Sequence, residues 1–147
     1  MIDPATFVEH SERLTTVFGG WPSFHDAEVH AMDLWRGDVC PERNSWIGAV
    51  LTAKIQVLEA TQRGATHCGN DTLVTLRFHD IDRLELRGFN HQNAIIGLWF
   101  EHESRGDGLP EYIRVEFQQA HGVQATFVCF RVEFLSAEPY SDATQSA

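Results

Sequence analysis

From Ala27 to Phe134 apolar and polar side chains keep returning to a period of two, and glycine- or proline-containing breaks interrupt them at short intervals. Successive side chains of a strand point to opposite faces, so this alternation commits the chain to half-buried β structure and excludes a helical bundle. Seven segments carry the pattern: Ala27–Trp35, Trp46–Leu58, Leu73–Phe78, Leu84–Arg87, Ile95–Glu103, Tyr112–Gln118 and Val123–Leu135. His79-Asp80-Ile81-Asp82 reads as the turn of a hairpin that returns through Leu84 and Leu86. In the last segment neither face is uniformly polar, which demands burial on both sides or a bulge.

Ahead of the strands, Pro4 after Asp3 predicts a short helix through Val17, stopped by Gly19 and Gly20. Trp21-Pro22-Ser23-Phe24 then supplies a stiff turn with two aromatic anchors. Gly37–Asn44, Thr61–Asp71 and Ser104–Pro110 read as loops, and a small polar tail from about Ser136 is expected to fray. The expectation is a mainly β fold: an antiparallel curved sheet or partly open barrel with a short N-terminal helix, forming one domain over residues 1–147.

Material for a core is present, because 43% of the 147 residues are hydrophobic and they include 10 Phe and 4 Trp. A formal charge of −10, from 21 acidic against 11 basic side chains, repels phosphate backbones and argues against direct nucleic-acid binding. Cys40, Cys68 and Cys129 are odd in number, far apart and not at metal-knuckle spacing, so no internal disulfide is expected. No signal-peptide pattern or apolar run long enough for a bilayer-spanning helix is seen, which points to the cytoplasm and away from membranes. The oligomeric state is left open.

Two polar clusters stand out. His25-Asp26-Ala27-Glu28-Val29-His30 would place Asp26, Glu28 and His30 on one strand face, where imidazole and carboxylates suit a divalent metal or acid/base chemistry. The structural alternative has His25 satisfying a neighbouring backbone or carboxylate group and Asp26 accepting backbone donors at the start of the strand. Phe89-Asn90-His91-Gln92-Asn93 gathers amides and an imidazole able either to contact a partner or to satisfy the backbone of a tight connection. No nucleophile elbow, phosphate loop or dinucleotide fingerprint occurs, and His67 beside Cys68 lacks the placed base that a thiol enzyme needs. No catalytic residue, metal ligand or cofactor is therefore assigned.

The run Trp21–Val29, the segment Val74–Leu86 and Gly88-Phe89-Asn90-His91-Gln92-Asn93, followed by Gly122, Phe127, Cys129 and Val132, resemble the bacterial immunity protein 50 family. The resemblance spans about Phe18 to Pro139. It implies a protein that binds and neutralises a cognate polymorphic toxin, with His25, Asp26, Glu28, Asn90, His91, Gln92 and Asn93 as the matching polar positions, partner-binding or structural. A basic toxin would complement the acidic chain. The competing readings are a metal-dependent hydrolase using His25, Asp26, Glu28 and His30, and a purely structural β domain.

Overall fold

The computed structural model describes residues 2–58 and 71–140. In chain order its elements are β1 (Val8–Glu9), α1 (Ser11–Phe18), β2 (Glu28–Trp35), β3 (Asp38–Cys40), β4 (Ser45–Ile47), β5 (Val50–Val57), β6 (Thr72–His79), β7 (Asp82–Arg87), β8 (Ala94–Glu103), β9 (Tyr112–His121), β10 (Gln124–Cys129) and β11 (Arg131–Pro139). Nine strands form one open sheet in the order β1-β11-β6-β5-β2-β8-β9-β10-β7, while β3 and β4 make a separate ribbon. Every pairing is antiparallel except β1 with β11. The mainly β, partly open architecture expected from the alternation is the one observed.

The sheet is rolled around its own core. β2 and β8 share a single register pair, Glu28 with Ala94, so the sheet divides there into two halves. Phe78 on β6 meets Phe117 on β9 and Phe127 on β10 edge-on, at ring-centroid distances of 5.9 and 5.0 Å, which shows the halves facing each other. Leu51, Ile55, Leu76, Val115, Phe117 and Phe127 are all buried between them. Truncating one such ring to alanine costs about 3–5 kcal/mol. Trp21 and Phe24 pack together at the edge of this core, and Trp21 also contacts Phe100 of β8, as the aromatic anchors of the turn were expected to do.

The hairpin expected at His79–Asp82 is not formed: the chain does turn there, but β7 pairs with β10 at the far edge of the sheet. The reason lies in β6, whose two backbone edges are already occupied by β5 and β11 through all of Thr72–His79. With no free edge on β6, the chain crosses to the other half through Asp80, in the left-handed region at φ 59°. It crosses back at Phe130, whose N–H donates to the His79 carbonyl at 3.1 Å. The expected Val123–Leu135 strand is accordingly two strands, β10 and β11, with register shifts after Thr126 and after Phe134.

Four other local expectations are corrected. Pro4–Val17 is not one helix: Asp3 caps a 3-10 turn over Pro4–Phe7, and β1 follows before α1 begins at Ser11. Val8 and Glu9 gain partners on the edge of β11, and Arg131 clamps the Glu9 carboxylate at 2.8 and 2.9 Å. Gly19 does end α1, at φ 82°. The supposed loop Gly37–Asn44 contains β3 and a 3-10 turn, and the supposed Trp46–Leu58 strand breaks near Gly48 into β4 and β5 on different sheets. A side chain at Gly48 would meet Asp80 Oδ1 at 2.5 Å, which keeps this corner tight. Finally, β11 runs through Pro139, past the expected start of the tail at Ser136. The Thr61–Asp71 connection apart from Asp71, with His67 and Cys68, and the tail beyond Tyr140 lie outside the described residues.

Candidate functional site

The two polar clusters meet at the division between the sheet halves. Asn93, buried just before β8, accepts from the Asn90 N–H at 2.9 Å and donates from Nδ2 to the carbonyls of Asn90 at 2.8 Å and Val29 at 3.2 Å. Its own N–H donates to the Glu28 carboxylate, and its carbonyl accepts from the Val29 N–H at 2.9 Å. Asn90 Oδ1 in turn accepts from the Gln92 N–H at 2.7 Å. Backbone bonds from Asp26 to Ile95, from Ile95 to Ala27 and from Val29 to Asn93 also cross the junction, and the side chains extend this short ladder where the halves share one register pair. Gly122 seals the junction: it sits at φ 80°, and a Cβ there would collide with the Gln92 carbonyl and Asn93 Oδ1.

His25 and Asp26 are outside this network. They face solvent, 64% and 65% exposed, and pair with each other at 3.1 Å. Asp26 is held by its backbone, at φ 65° with its N–H donating to the Ile95 carbonyl at 2.9 Å. Its carboxylate accepts no backbone hydrogen bond among the described residues, so the backbone-capping role expected of Asp26 belongs instead to Glu28. His91 and Gln92 are also exposed.

His30 turns to a different neighbour. Its Nε2 lies 2.7 Å from Gln56 Oε1 on β5, Gln56 donates onward to Asp71 at 2.7 Å, and the imidazole packs on the Tyr140 ring at 4.9 Å. His25, Asp26, Glu28 and His30 therefore serve three separate environments. Among the described residues no three His, Cys, Asp or Glu side chains converge as a metal site, so the geometry that the hydrolase reading requires is not assembled.

A second feature was missed by sequence reasoning. On the outer face of the half-sheet, Asp33, Thr52, Arg77 and Glu133 form one cross-strand row, and Trp35, Val50, His79 and Arg131 form the next. A groove of about 410 Å³ runs over these rows, bounded by Trp35 and by Ile47 of the ribbon. Within and beside it, His79 Nε2 lies 2.9 Å from Glu133, Arg131 is held by Glu9, and Arg77 Nε donates to the Thr52 hydroxyl at 3.1 Å. Asp33 is exposed and makes no ion pair among the described residues. Trp35 and Ile47, which bound the groove, are each about half exposed. The available signal was phase: Trp35 alternates with Asp33 on the face opposite Met32 and Leu34, so this tryptophan belongs to the surface rather than the core.

Cys129 is buried, and desolvation pushes its thiol up to about 12, the opposite of what a reactive thiolate needs. Cys40 and Cys129 are both free thiols. No described helix is long and apolar enough to cross a membrane.

Residues 10–140 match the family described as Immunity protein 50, a span that contains α1 and every strand except β1. No curated protein and no solved structure matches the chain.

Proposed function

The chain belongs to the Immunity protein 50 family, and from that premise we propose that it acts in the bacterial cytoplasm by binding a cognate toxin of a polymorphic toxin system and neutralising it. The family match over nearly the whole fold carries this reading. Support comes from the electrostatics, since a chain of charge −10 speeds encounter with a basic protein while repelling the nucleic acid that a basic nuclease would attack. Glu28, Asn90 and Asn93 act as architecture, joining the two half-sheets so that the surface is rigid before binding. His25, Asp26, His91 and Gln92, exposed beside that junction, serve its outer rim.

The test is reconstitution with the toxin domain encoded beside the gene. Purified components are expected to form a stable one-to-one complex under reducing, near-neutral conditions, and co-expression is expected to restore growth of cells producing the toxin. Toxicity that persists with abundant folded protein, together with no complex by light scattering, would refute the proposal.

A further inference from the structure

We propose that the outer-face groove between Trp35 and Ile47 is the docking site for a basic protein partner, which inserts an arginine side chain against Asp33. The inference rests on the toxin-binding reading for the partner's identity, and on the groove's own chemistry for the residue it accepts. A guanidinium is planar, weakly hydrated and able both to stack on an indole and to bind a carboxylate through two hydrogen bonds. The groove offers both faces of that recognition two residues apart on one strand face: the half-exposed indole of Trp35 and the carboxylate of Asp33, which makes no ion pair among the described residues.

What favours this occupant over an acidic one is the chain's net charge of −10, which repels an acidic partner, together with the Asp33 carboxylate beside the Trp35 indole in the lining. Along the two rows and β1 stand the carboxylates of Asp33, Glu133 and Glu9 against the guanidiniums of Arg77 and Arg131. Among the described residues Arg131 pairs with Glu9 and Glu133 with His79, which leaves Asp33 as the unmatched carboxylate of the lining, while Arg77, its one guanidinium, donates from Nε to the Thr52 hydroxyl. The groove's volume, about 410 Å³, admits an arginine side chain with the apolar part of a neighbouring residue. Ile47 on the ribbon then supplies apolar contact at the opposite wall. Tryptophan and arginine packed together near the centre of an interface, with surrounding contacts that exclude water, carry most of the binding energy. The long-range field of the acidic chain adds orientation at a distance, and the groove supplies the specific contact.

Two arms separate this inference from the reading beneath it. In the first, isotope-labelled protein is titrated with acetyl-arginine amide and with its neutral citrulline counterpart, following the Trp35 indole and the Thr52 and Arg77 amides by nuclear magnetic resonance. Saturable shifts confined to these groups, lost with citrulline and in Asp33→Asn, support the site; equal shifts with citrulline, or none at the groove, overturn it. In the second, wild type, Trp35→Ala, Asp33→Asn and the control Glu85→Gln, exposed on β7 at the far edge of the sheet, are titrated against the co-encoded toxin domain. The groove substitutions are expected to weaken binding about tenfold or more, the control by less than about threefold. Tight binding by wild type and both groove variants alike would overturn the docking site while leaving the toxin-binding reading intact. No binding by wild type, with the arginine probe still seated on Trp35, would sink the toxin reading and support the groove as a guanidinium site. Both variants alter exposed side chains, and unchanged thermal midpoints verify that they fold.

Discussion

Replacing Asn93 with alanine should destabilise the fold more than any change to the exposed polar residues beside it. The substitution removes three hydrogen bonds: one accepted from the Asn90 N–H and two donated to the carbonyls of Val29 and Asn90. The bond to Val29 is fully buried, and a buried acceptor stripped of its donor costs about 1–3 kcal/mol. The two Asn90 groups are part-buried, where water replaces the lost partner at about 0.5–1 kcal/mol each. The total is about 3 kcal/mol, or a fall of about 6–12 °C in midpoint for a domain of this size. Asn93→Asp should be at least as damaging, because it keeps the acceptor, loses both donors and sets a second carboxylate beside Glu28. Urea unfolding read by tryptophan fluorescence, with matched m-values, measures the difference. An Asn93→Ala protein within about 0.5 kcal/mol of wild type would refute the view that this side chain joins the half-sheets.

Three further outcomes follow from the same geometry. Asp26→Ala should cost no more than about 1 kcal/mol and Asp26→Gly nothing, since the strain there is in a left-handed backbone and the carboxylate caps no buried donor; a loss above about 2 kcal/mol in both by chemical denaturation would contradict this. Arg131, hydrogen-bonded to Glu9, holds that carboxyl below its usual range, so the pair stabilises the fold above the unfolded carboxylate value and loses that effect as pH falls through the folded one. Both side chains are more than a third exposed, so Arg131→Gln should lower stability at neutral pH by at most about 1 kcal/mol, with the difference from wild type shrinking toward pH 3; a gap that widens on acidification would be inconsistent. Native-state alkylation at pH 8 should modify half-buried Cys40 and spare Cys129 until denaturant is added, as read by peptide mass mapping; labelling of both at equal rates would show that Cys129 is not held in the core.

The candidate site divides along the same lines. Glu28 and the Asn90–Asn93 run stood out as polar groups interrupting strand signals, and their density at a break was legible because an unpaired backbone needs side-chain partners. Which carboxylate served was not legible. Asp26 and Glu28 differ by two residues, and the left-handed turn at Asp26 leaves its side chain in solvent while Glu28 reaches the Asn93 N–H. The groove escaped notice because its rows draw Asp33, Thr52, Arg77 and Glu133 from four strands, scattered along the chain.

Alternation by itself marked the long strands β2, β5, β6, β8 and β9 and the side chains of each that face the core, because a period of two is a property of one strand alone and needs no partner to be read. Thus Val74, Leu76 and Phe78 share the buried face, as their spacing requires. The short β1 and β3 and the breaks near Gly48 and after Cys129 gave no such signal. Pairing is a property of two strands, and only the tertiary structure decided it. A tight turn after His79 looked like a hairpin, yet both edges of β6 were taken by segments arriving from earlier and later in the chain, so β7 found its partner on β10. Likewise Val8 and Glu9 left the expected helix because the edge of β11 offered them hydrogen bonds and Arg131 offered Glu9 a charge, and neither offer can be read from residues 4–17 alone.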